Sequence, residues 1–152
     1  MGDKRGGIRI GLDIGGGGGT IVTTTMNLNG PFNNFMALRG VVPLYITIAQ
    51  RLPFFDNTLD IVHSMHVLGH WIPLETFQFL LFDIDKVLRP GGLFWLDRFF
   101  CRKSHFEEVY VPLIHSLGFH TRKWVTGRKV DRETEEILYL SAVLEKPLTR
   151  SL

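Results

Sequence analysis

The sequence predicts a single α/β domain whose sheet is mainly parallel, with an antiparallel pair of strands at its C-terminal edge. Strand-like apolar segments alternate with amphipathic helical segments along the chain, a pattern typical of parallel sheets. A run of five glycines, Gly15–Gly19, follows the first strand-like segment. A charged turn, with no helix, joins the last two strand-like segments, which favours an antiparallel pair.

The individual elements follow from composition and periodicity. Seven segments rich in apolar or β-branched residues predict strands over 8–14, 20–26, 41–48, 59–64, 93–96, 119–125 and 137–144. Three segments with apolar residues on one face predict helices over 31–39, 76–88 and 106–117. After the second of these helices, Arg89-Pro90-Gly91-Gly92 predicts a turn into the next strand.

The composition is that of one folded domain. The chain has 152 residues, of which 45% are hydrophobic and 21% charged, so we expect one domain over 1–152 with flexible ends at 1–7 and 147–152. The net charge of +2 is too small to indicate nucleic acid as a partner. The single cysteine excludes an internal disulfide, and no apolar run is long enough for a membrane span.

The glycine run indicates a loop that a ligand approaches closely. Five consecutive glycines cost conformational entropy and add no packing, so an ordinary loop explains them poorly. A phosphate-binding P-loop needs a lysine after its last glycine, but Gly19 is followed by Thr20-Ile21. The dinucleotide pattern fails as well, because its third glycine would fall on Thr20 or Ile21. The pattern that fits is an acidic residue, Asp13, followed by glycines at alternate positions.

Three segments together resemble the class I S-adenosylmethionine-dependent methyltransferases. The Asp13-Ile14-glycine segment resembles motif I of that superfamily. Residues 51–64 (RLPFFDNTLDIVHS) resemble its passage into strand four, and residues 87–95 (VLRPGGLFW) resemble its turn into strand five. The resemblance covers residues 8 to about 146 and is closest to a plant group associated with cell-wall polysaccharide. It implies a Rossmann-like methyltransferase sheet with antiparallel C-terminal edge strands.

The resemblance also implies a cofactor, a reaction and a set of site residues. The cofactor is S-adenosylmethionine, and the reaction is methyl transfer to an oxygen acceptor such as a carbohydrate carboxylate or hydroxyl. The positions that match cofactor-binding positions of the family are Asp13, Gly15, Gly17, Gly19, Thr25, Asn27, Ile48, Ala49, Ser64 and Met65. His66 lies just after the predicted strand 59–64 and could act as general base for a hydroxyl acceptor. Arg98 could pair with an anionic acceptor.

The sequence departs from the family after motif I. Only Thr20 separates Gly19 from the strand-like IVTTTM segment, and a parallel crossover ordinarily needs a dozen residues or more. We therefore expect the first crossover helix to be missing. Either residues 20–27 are forced into a helix despite their β-branched composition, or the first two segments form an antiparallel hairpin.

Two further departures concern the cofactor. Thr25 and Asn27 stand where the family carries an acidic side chain for the ribose, and Ile48 or Ala49 stands at the acidic position near the adenine. Each substitution removes a charge-assisted contact. An alternative prediction is therefore a degenerate, non-catalytic methyltransferase-like domain. We expect a cytoplasmic location if the chain is complete, and a Golgi location if it is a piece of an anchored protein.

An alternative hypothesis assigns the same glycines to a different class of protein. Residues 10–16 resemble the phosphate-binding hairpin of sugar kinases and actin-like ATPases, in which a glycine turn joins two antiparallel strands. That fold needs two domains and about twice this length, and it leaves the segments at 51–64 and 87–95 unexplained.

Three histidines have a spacing that could indicate a metal site. His63, His66 and His70 would share one face if they lay on a helix, and imidazole is a common zinc ligand. Because His63 is predicted to end a strand, we do not expect the three to share a helix, and we predict no metal site.

Overall fold

The computed structural model describes residues 8–14, 21–24, 42–44, 48–129 and 136–149. Seven strands form one sheet in the order β3-β2-β1-β4-β5-β7-β6. The strands are β1 (Gly11–Ile14), β2 (Ile21–Thr24), β3 (Val42–Leu44), β4 (Leu59–Met65), β5 (Leu88–Arg102), β6 (His120–Lys129) and β7 (Ile137–Glu145). Strands β1 to β5 run parallel, and β7 runs antiparallel to both β5 and β6. The predicted parallel sheet with an antiparallel C-terminal edge is confirmed.

Two helical stretches connect the strands of the C-terminal half. Helix α1 (Leu74–Val87) joins β4 to β5. The connection from β5 to β6 combines α2 (Lys103–His105), a π-helical turn (Phe106–Tyr110) and α3 (Val111–His115). In the ranges that the model covers, no helix is both long and apolar enough to cross a membrane.

The core lies between these helices and one face of the sheet. Apolar residues of α1 recur at helical spacing and are buried, namely Phe77, Leu80, Leu81, Ile84 and Val87. Phe77 stacks on Phe99 of β5 with ring centroids 5.1 Å apart, and Tyr110 meets the Phe99 ring edge-on at 5.0 Å. Burial of each such side chain stabilises the fold by roughly 1.5–3 kcal/mol. The apolar periodicity therefore places α1 correctly.

The predicted turn at 89–92 is instead the first part of β5. Helix α1 ends at Val87, and Leu88 already pairs with Leu59 of β4. Gly91 adopts a φ of 75°, and its N–H donates to the carbonyl of Lys146 at 2.9 Å. Because Leu93 is the next residue of β5 to pair with β4, at Ile61, residues 89–92 together stand opposite Asp60 alone and form an irregularity within the strand.

An acidic side chain fixes the start of the parallel sheet. The N–H groups of Arg9 and Ile10 donate to Asp60 Oδ2 at 2.6 and 2.9 Å, and the Arg89 guanidinium donates to Asp60 Oδ1. Burial acts to raise the pKa of the Asp60 carboxyl, but these hydrogen bonds and the Arg89 charge outweigh it and hold the pKa below its ordinary value. Asp60 thus ties β4 to the segment that leads into β1.

The connection between the first two strands corrects both expectations for residues 20–27. Ile21–Thr24 is a strand, so no helix covers that segment, and the strand runs parallel to β1, so the hairpin is wrong. Gly11 is paired with Ile21. Ile14 and Ile21 are therefore separated by about 10 Å along the strands and about 4.8 Å across them. Seven peptide units can span about 23 Å, so six intervening residues suffice when the strands are this short.

The parallel pairing also removes the kinase-like alternative. The phosphate-binding hairpin of that class requires antiparallel strands on either side of the glycine turn, whereas β1 and β2 are parallel. The predicted helix over 31–39 and the predicted flexible segment 1–7 lie outside the described residues.

Candidate functional site

Two predicted site residues lie at the carboxyl ends of the neighbouring strands β1 and β4, with their side chains on opposite faces of the sheet. Asp13 and Ser64 lie on these adjacent parallel strands, with Ile14 paired with Ser64. Asp13 is 3% exposed, and Ser64 is fully buried. Ligands of open α/β sheets bind outside the carboxyl ends of the strands. The site predicted from motif I therefore lies at the edge of the sheet that can hold a ligand.

Asp13 has a partner that the sequence did not indicate. Its Oδ1 atom lies 3.1 Å from Nδ1 of His63, the residue paired with it across the two strands. The His63 ring in turn packs against Trp95 of β5, with ring centroids 4.4 Å apart. Asp13, His63 and Trp95 thus form a continuous row across three strands on one face of the sheet.

Buried polar atoms at these strand ends fit a cofactor site. Two buried side-chain atoms, Ser64 Oγ and His63 Nε2, have no hydrogen-bond partner in the part of the chain that the model describes. Such atoms are costly unless something outside that part satisfies them. Met65, the next residue, is 43% exposed and follows the same strand end. A polar ligand bound beyond the carboxyl ends of β1 and β4 is consistent with this arrangement.

The other predicted cofactor residues divide into two groups. Those outside the described residues are Gly15, Gly17, Gly19, Thr25 and Asn27. Ile48 and Ala49 are described: Ile48 packs against the core, and Ala49 is exposed in a turn.

His66 lies just beyond β4 in an unusual backbone conformation. Its φ is 63°, a left-handed value that few residues other than glycine adopt. The His66 N–H donates to the carbonyl of Asp97 in β5 at 3.0 Å, and its ring meets Phe100 edge-on at 4.8 Å. These contacts fix the predicted general base beside the carboxyl half of β5.

A β-bulge in β5 lies next to His66. Leu96 pairs with Ala142 and Phe99 with Leu140, so Asp97 and Arg98 together stand opposite a single residue of β7. Arg98 has a φ of 51°. Bulges of this kind re-aim side chains and are frequent beside active sites.

Ser141 is the residue of β7 opposite the bulge, and it holds the bulge in place. Its Oγ accepts a hydrogen bond from the Arg98 N–H at 3.2 Å and donates to Asp97 Oδ1 at 2.7 Å. One hydroxyl therefore provides a hydrogen-bond partner for the Arg98 N–H and for the Asp97 carboxylate.

A cavity of about 740 Å³ opens on this side of the sheet. Its lining comes from the end of β4 and from β5, β6 and β7, and includes His66, Trp95, Asp97, Arg98, Lys123, Arg128, Tyr139 and Ser141. A volume of this size lies within the usual range of small-molecule sites. The cavity therefore has room for a small molecule and includes His66, the residue that follows Met65.

The charge of the cavity is mainly positive. Arg98, Lys123 and Arg128 line it together with one carboxylate, Asp97. Within the ranges described, ion pairing involves Arg128, which lies 3.7 Å from Glu136, but neither Arg98 nor Lys123. Cations of this kind, flanked by Trp95, suit an anionic acceptor with an apolar face.

The three histidines do not form one cluster. His63 lies within β4, His66 follows the strand, and His70 lies in the turn beyond it, so they share no helix, as expected. Their rings contact three different aromatic side chains. In the described ranges, no group of three or more His, Cys, Asp or Glu side chains is placed to hold a metal ion.

Sequence reasoning missed the residues that complete this region. His63, Ser141 and Tyr139 were not predicted as site residues, because each depends on strand register. One signal of the bulge is visible in the sequence: polar Asp97 and Arg98 interrupt the continuous apolar run of residues 93–101. That interruption predicts an irregularity in the strand, but it does not name the partner across it.

Comparison with known proteins agrees with this architecture. Residues 12–96 match a family model described as a methyltransferase domain. A relative from Arabidopsis thaliana, named as a probable methyltransferase, is 42% identical over 154 residues. The match covers 94% of this chain and 40% of that relative, so the chain spans less than half of the relative's length.

Solved structures share the fold at low sequence identity. A SAM-dependent methyltransferase from Methanosarcina mazei superposes with a TM-score of 0.69 at 15% identity, covering 92% of this chain and 93% of its own. The N-methyltransferase NodS from Bradyrhizobium japonicum, in complex with S-adenosyl-L-homocysteine, gives a TM-score of 0.65 at 13% identity, covering 93% of this chain and 80% of its own. Both support the predicted methyltransferase-like sheet.

Proposed function

Because this chain belongs to the methyltransferase-domain family, we propose that it transfers a methyl group from S-adenosylmethionine to an oxygen acceptor, a carbohydrate carboxylate or hydroxyl. When bound, S-adenosylmethionine supplies an activated methyl group on its sulfonium sulfur. The chain's own residues bind the acceptor, orient it and hold or move its proton. Positioning of this kind supplies much of the rate acceleration when two reactants must meet.

The cofactor side of the proposal is supported by Asp13 and Ser64. Both are buried polar side chains at neighbouring carboxyl strand ends, and Ser64 Oγ lacks a partner among the residues described. On this proposal, the bound cofactor satisfies that hydroxyl. The remaining proposed contacts come from Gly15, Gly17, Gly19, Thr25, Asn27, Ile48, Ala49 and Met65.

The acceptor side is supported by one observation above the others: His66, just beyond β4, and Arg98, in the bulge of β5, line the same cavity. Arg98 binds an anionic group of the acceptor through charge-assisted hydrogen bonds. Trp95, which is 41% exposed on the cavity wall, stacks against the apolar face of a sugar ring. The proposed acceptor is therefore an acidic carbohydrate.

The role of His66 depends on which oxygen is methylated. A hydroxyl must lose its proton as the new bond forms, so His66 acts as general base for that acceptor. A carboxylate is already ionised at neutral pH and needs no base. The His66→Gln variant therefore distinguishes the two acceptors, since it slows hydroxyl methylation by about 10²-fold or more and leaves carboxylate methylation nearly unchanged.

The test is methyl transfer from radiolabelled S-adenosylmethionine to a uronic-acid oligosaccharide and to its neutral hexose counterpart. We expect label on the uronic-acid compound. Mild base releases that label if a carboxylate was esterified and leaves it bound if a hydroxyl was methylated. Label on an amine acceptor, with none on either oligosaccharide, would contradict the proposal.

Matched arginine variants locate the acceptor within the cavity. Arg98→Gln should raise the KM for the uronic-acid compound about tenfold or more, the usual effect of losing one charge-assisted contact. Arg122→Gln is the control, because Arg122 is exposed on β6 and paired with Glu145 at 2.5 Å outside the cavity lining. Equal effects of the two variants would contradict the assignment of Arg98.

A second candidate function is a methyltransferase-like domain that no longer catalyses transfer. It is favoured by Thr25, Asn27, Ile48 and Ala49, none of which carries the charge that the resembled family uses at these positions. Titration calorimetry separates the candidates, because a degenerate pocket gives no heat with S-adenosylmethionine or S-adenosyl-L-homocysteine at millimolar concentration.

A further inference from the structure

His63 and Asp13 form a largely buried pair, and methyl transfer as proposed above gives His63 no role. They are direct neighbours on the parallel strands β4 and β1, and their side chains meet on one face of the sheet. The Nδ1–Oδ1 distance is 3.1 Å, and the two side chains are 17% and 4% exposed. A carboxylate so deeply buried needs a hydrogen-bond donor, and His63 provides one.

The position of the proton follows from this contact. A nitrogen that faces a carboxylate oxygen at hydrogen-bond distance carries a hydrogen, so Nδ1 is the donor and its ring orientation is fixed by Asp13. Trp95 packs against the ring from the next strand, with centroids 4.4 Å apart. The imidazole is therefore held by a hydrogen bond on one side and an aromatic ring on the other.

Stability alone explains the pair poorly. A buried polar pair is often no more stable than two apolar side chains of similar volume. The neighbouring pair one residue earlier, Leu12 and Val62, is apolar and fully buried on the same two strands. The polar pair also leaves His63 Nε2 buried without a partner in the described ranges, which adds a cost.

We infer that His63 is a positioning residue: it holds the carboxylate of Asp13 in the orientation that binding of S-adenosylmethionine requires. Asp13 is the last charged residue before the glycine run, and the described contact uses one of its two oxygens. The same hydrogen bond therefore also sets the direction of the second oxygen, Oδ2 of Asp13. This inference rests on the proposed cofactor role of Asp13, but it is independent of the acceptor.

The test is titration calorimetry of the whole chain with S-adenosyl-L-homocysteine, with thermal unfolding measured in parallel. His63→Leu removes the donor and should weaken binding about tenfold or more. His63→Asn places an amide N–H at the same number of bonds from the backbone as Nδ1, so it should bind within about threefold of the parent. A purely structural role would lower the melting temperature of both variants without separating their affinities.

A double-variant cycle completes the test. If His63 acts through Asp13, then Asp13→Asn combined with His63→Leu should bind no more weakly than Asp13→Asn alone. Losses that multiply, or His63→Leu binding as tightly as the parent, would overturn the inference. Failure of the acceptor proposal looks different, because the parent chain then binds S-adenosyl-L-homocysteine but methylates neither oligosaccharide.

Discussion

His66 and Arg98 both adopt left-handed backbone conformations, with φ values of 63° and 51°, and both line the same cavity. A side chain with a Cβ atom pays about 1–2 kcal/mol for that region, so the surroundings must hold it there. Here the Asp97 carbonyl accepts the His66 N–H, and Ser141 accepts the Arg98 N–H. Backbone strain that is held in this way concentrates at functional sites.

The strain at Arg98 can be separated from its charge. Arg98→Gly and Arg98→Ala both remove the guanidinium, but glycine accepts a positive φ without cost. We expect Arg98→Gly to be about 1 kcal/mol more stable than Arg98→Ala in urea unfolding, while both bind the acidic acceptor equally poorly. Equal stability of the two variants would show that position 98 is not held in the left-handed region in solution.

Ser141 is expected to matter more for activity than for stability. Ser141→Ala removes the hydroxyl that bridges Arg98 and Asp97, so the bulge loses its anchor. We expect kcat/KM for the acceptor to fall about tenfold and stability to fall by about 1 kcal/mol. Ser116→Ala is the matched control, since the Ser116 hydroxyl bonds Leu113 O beyond α3, outside the cavity lining. Comparable loss of activity in both would argue against the bulge as a functional element.

Asp60 is expected to make stability depend on pH in the acid range. Its pKa lies below the ordinary value of 3.8, so its contribution is complete above that value and is lost as the pH falls through the native pKa. Asp60→Asn should therefore cost about 1–3 kcal/mol at pH 7, and the difference from the parent should shrink below about pH 4. Urea unfolding across this range measures it, and a difference independent of pH would refute the ionic role.

Cys101 is expected to report unfolding. The thiol is fully buried in β5, and burial raises its pKa to about 11. Both effects suppress the thiolate, which is the reactive form. A thiol reagent such as dithiobis-nitrobenzoate should label the native chain slowly and label the chain rapidly in denaturant. Fast stoichiometric labelling of the native chain would show that the structure around Cys101 opens readily and exposes the thiol.

The sequence predicted what depends on local pattern. Apolar periodicity located α1, β4 and the antiparallel pair β6–β7 to within a few residues at most boundaries, and motif order indicated the family. The predictions were wrong where contacts between segments distant in sequence determine the structure. Pro90-Gly91 was predicted as a turn between elements, whereas the structure includes it in β5 as an irregularity, with the Gly91 N–H bonded to the Lys146 carbonyl. The parallel order of β1 and β2 was missed because the length rule for crossovers assumes strands longer than these.

Prediction of the candidate site divides along the same line. Asp13 and Ser64 lie at the ends of strand-like segments and His66 follows one, so motif position was enough to propose them. His63 reaches Asp13 only through the register of β4 on β1, and Ser141 reaches Arg98 only through the register of β7 on β5. Register across a sheet depends on contacts far apart in sequence, which a single sequence does not display.

Binding of S-adenosyl-L-homocysteine tests the central claim most directly. Titration calorimetry of this chain should give a saturable heat with one ligand per chain, and Asp13→Asn should reduce the affinity about tenfold or more. The absence of any heat at millimolar ligand would contradict a cofactor site at the ends of β1 and β4, and would favour the non-catalytic alternative.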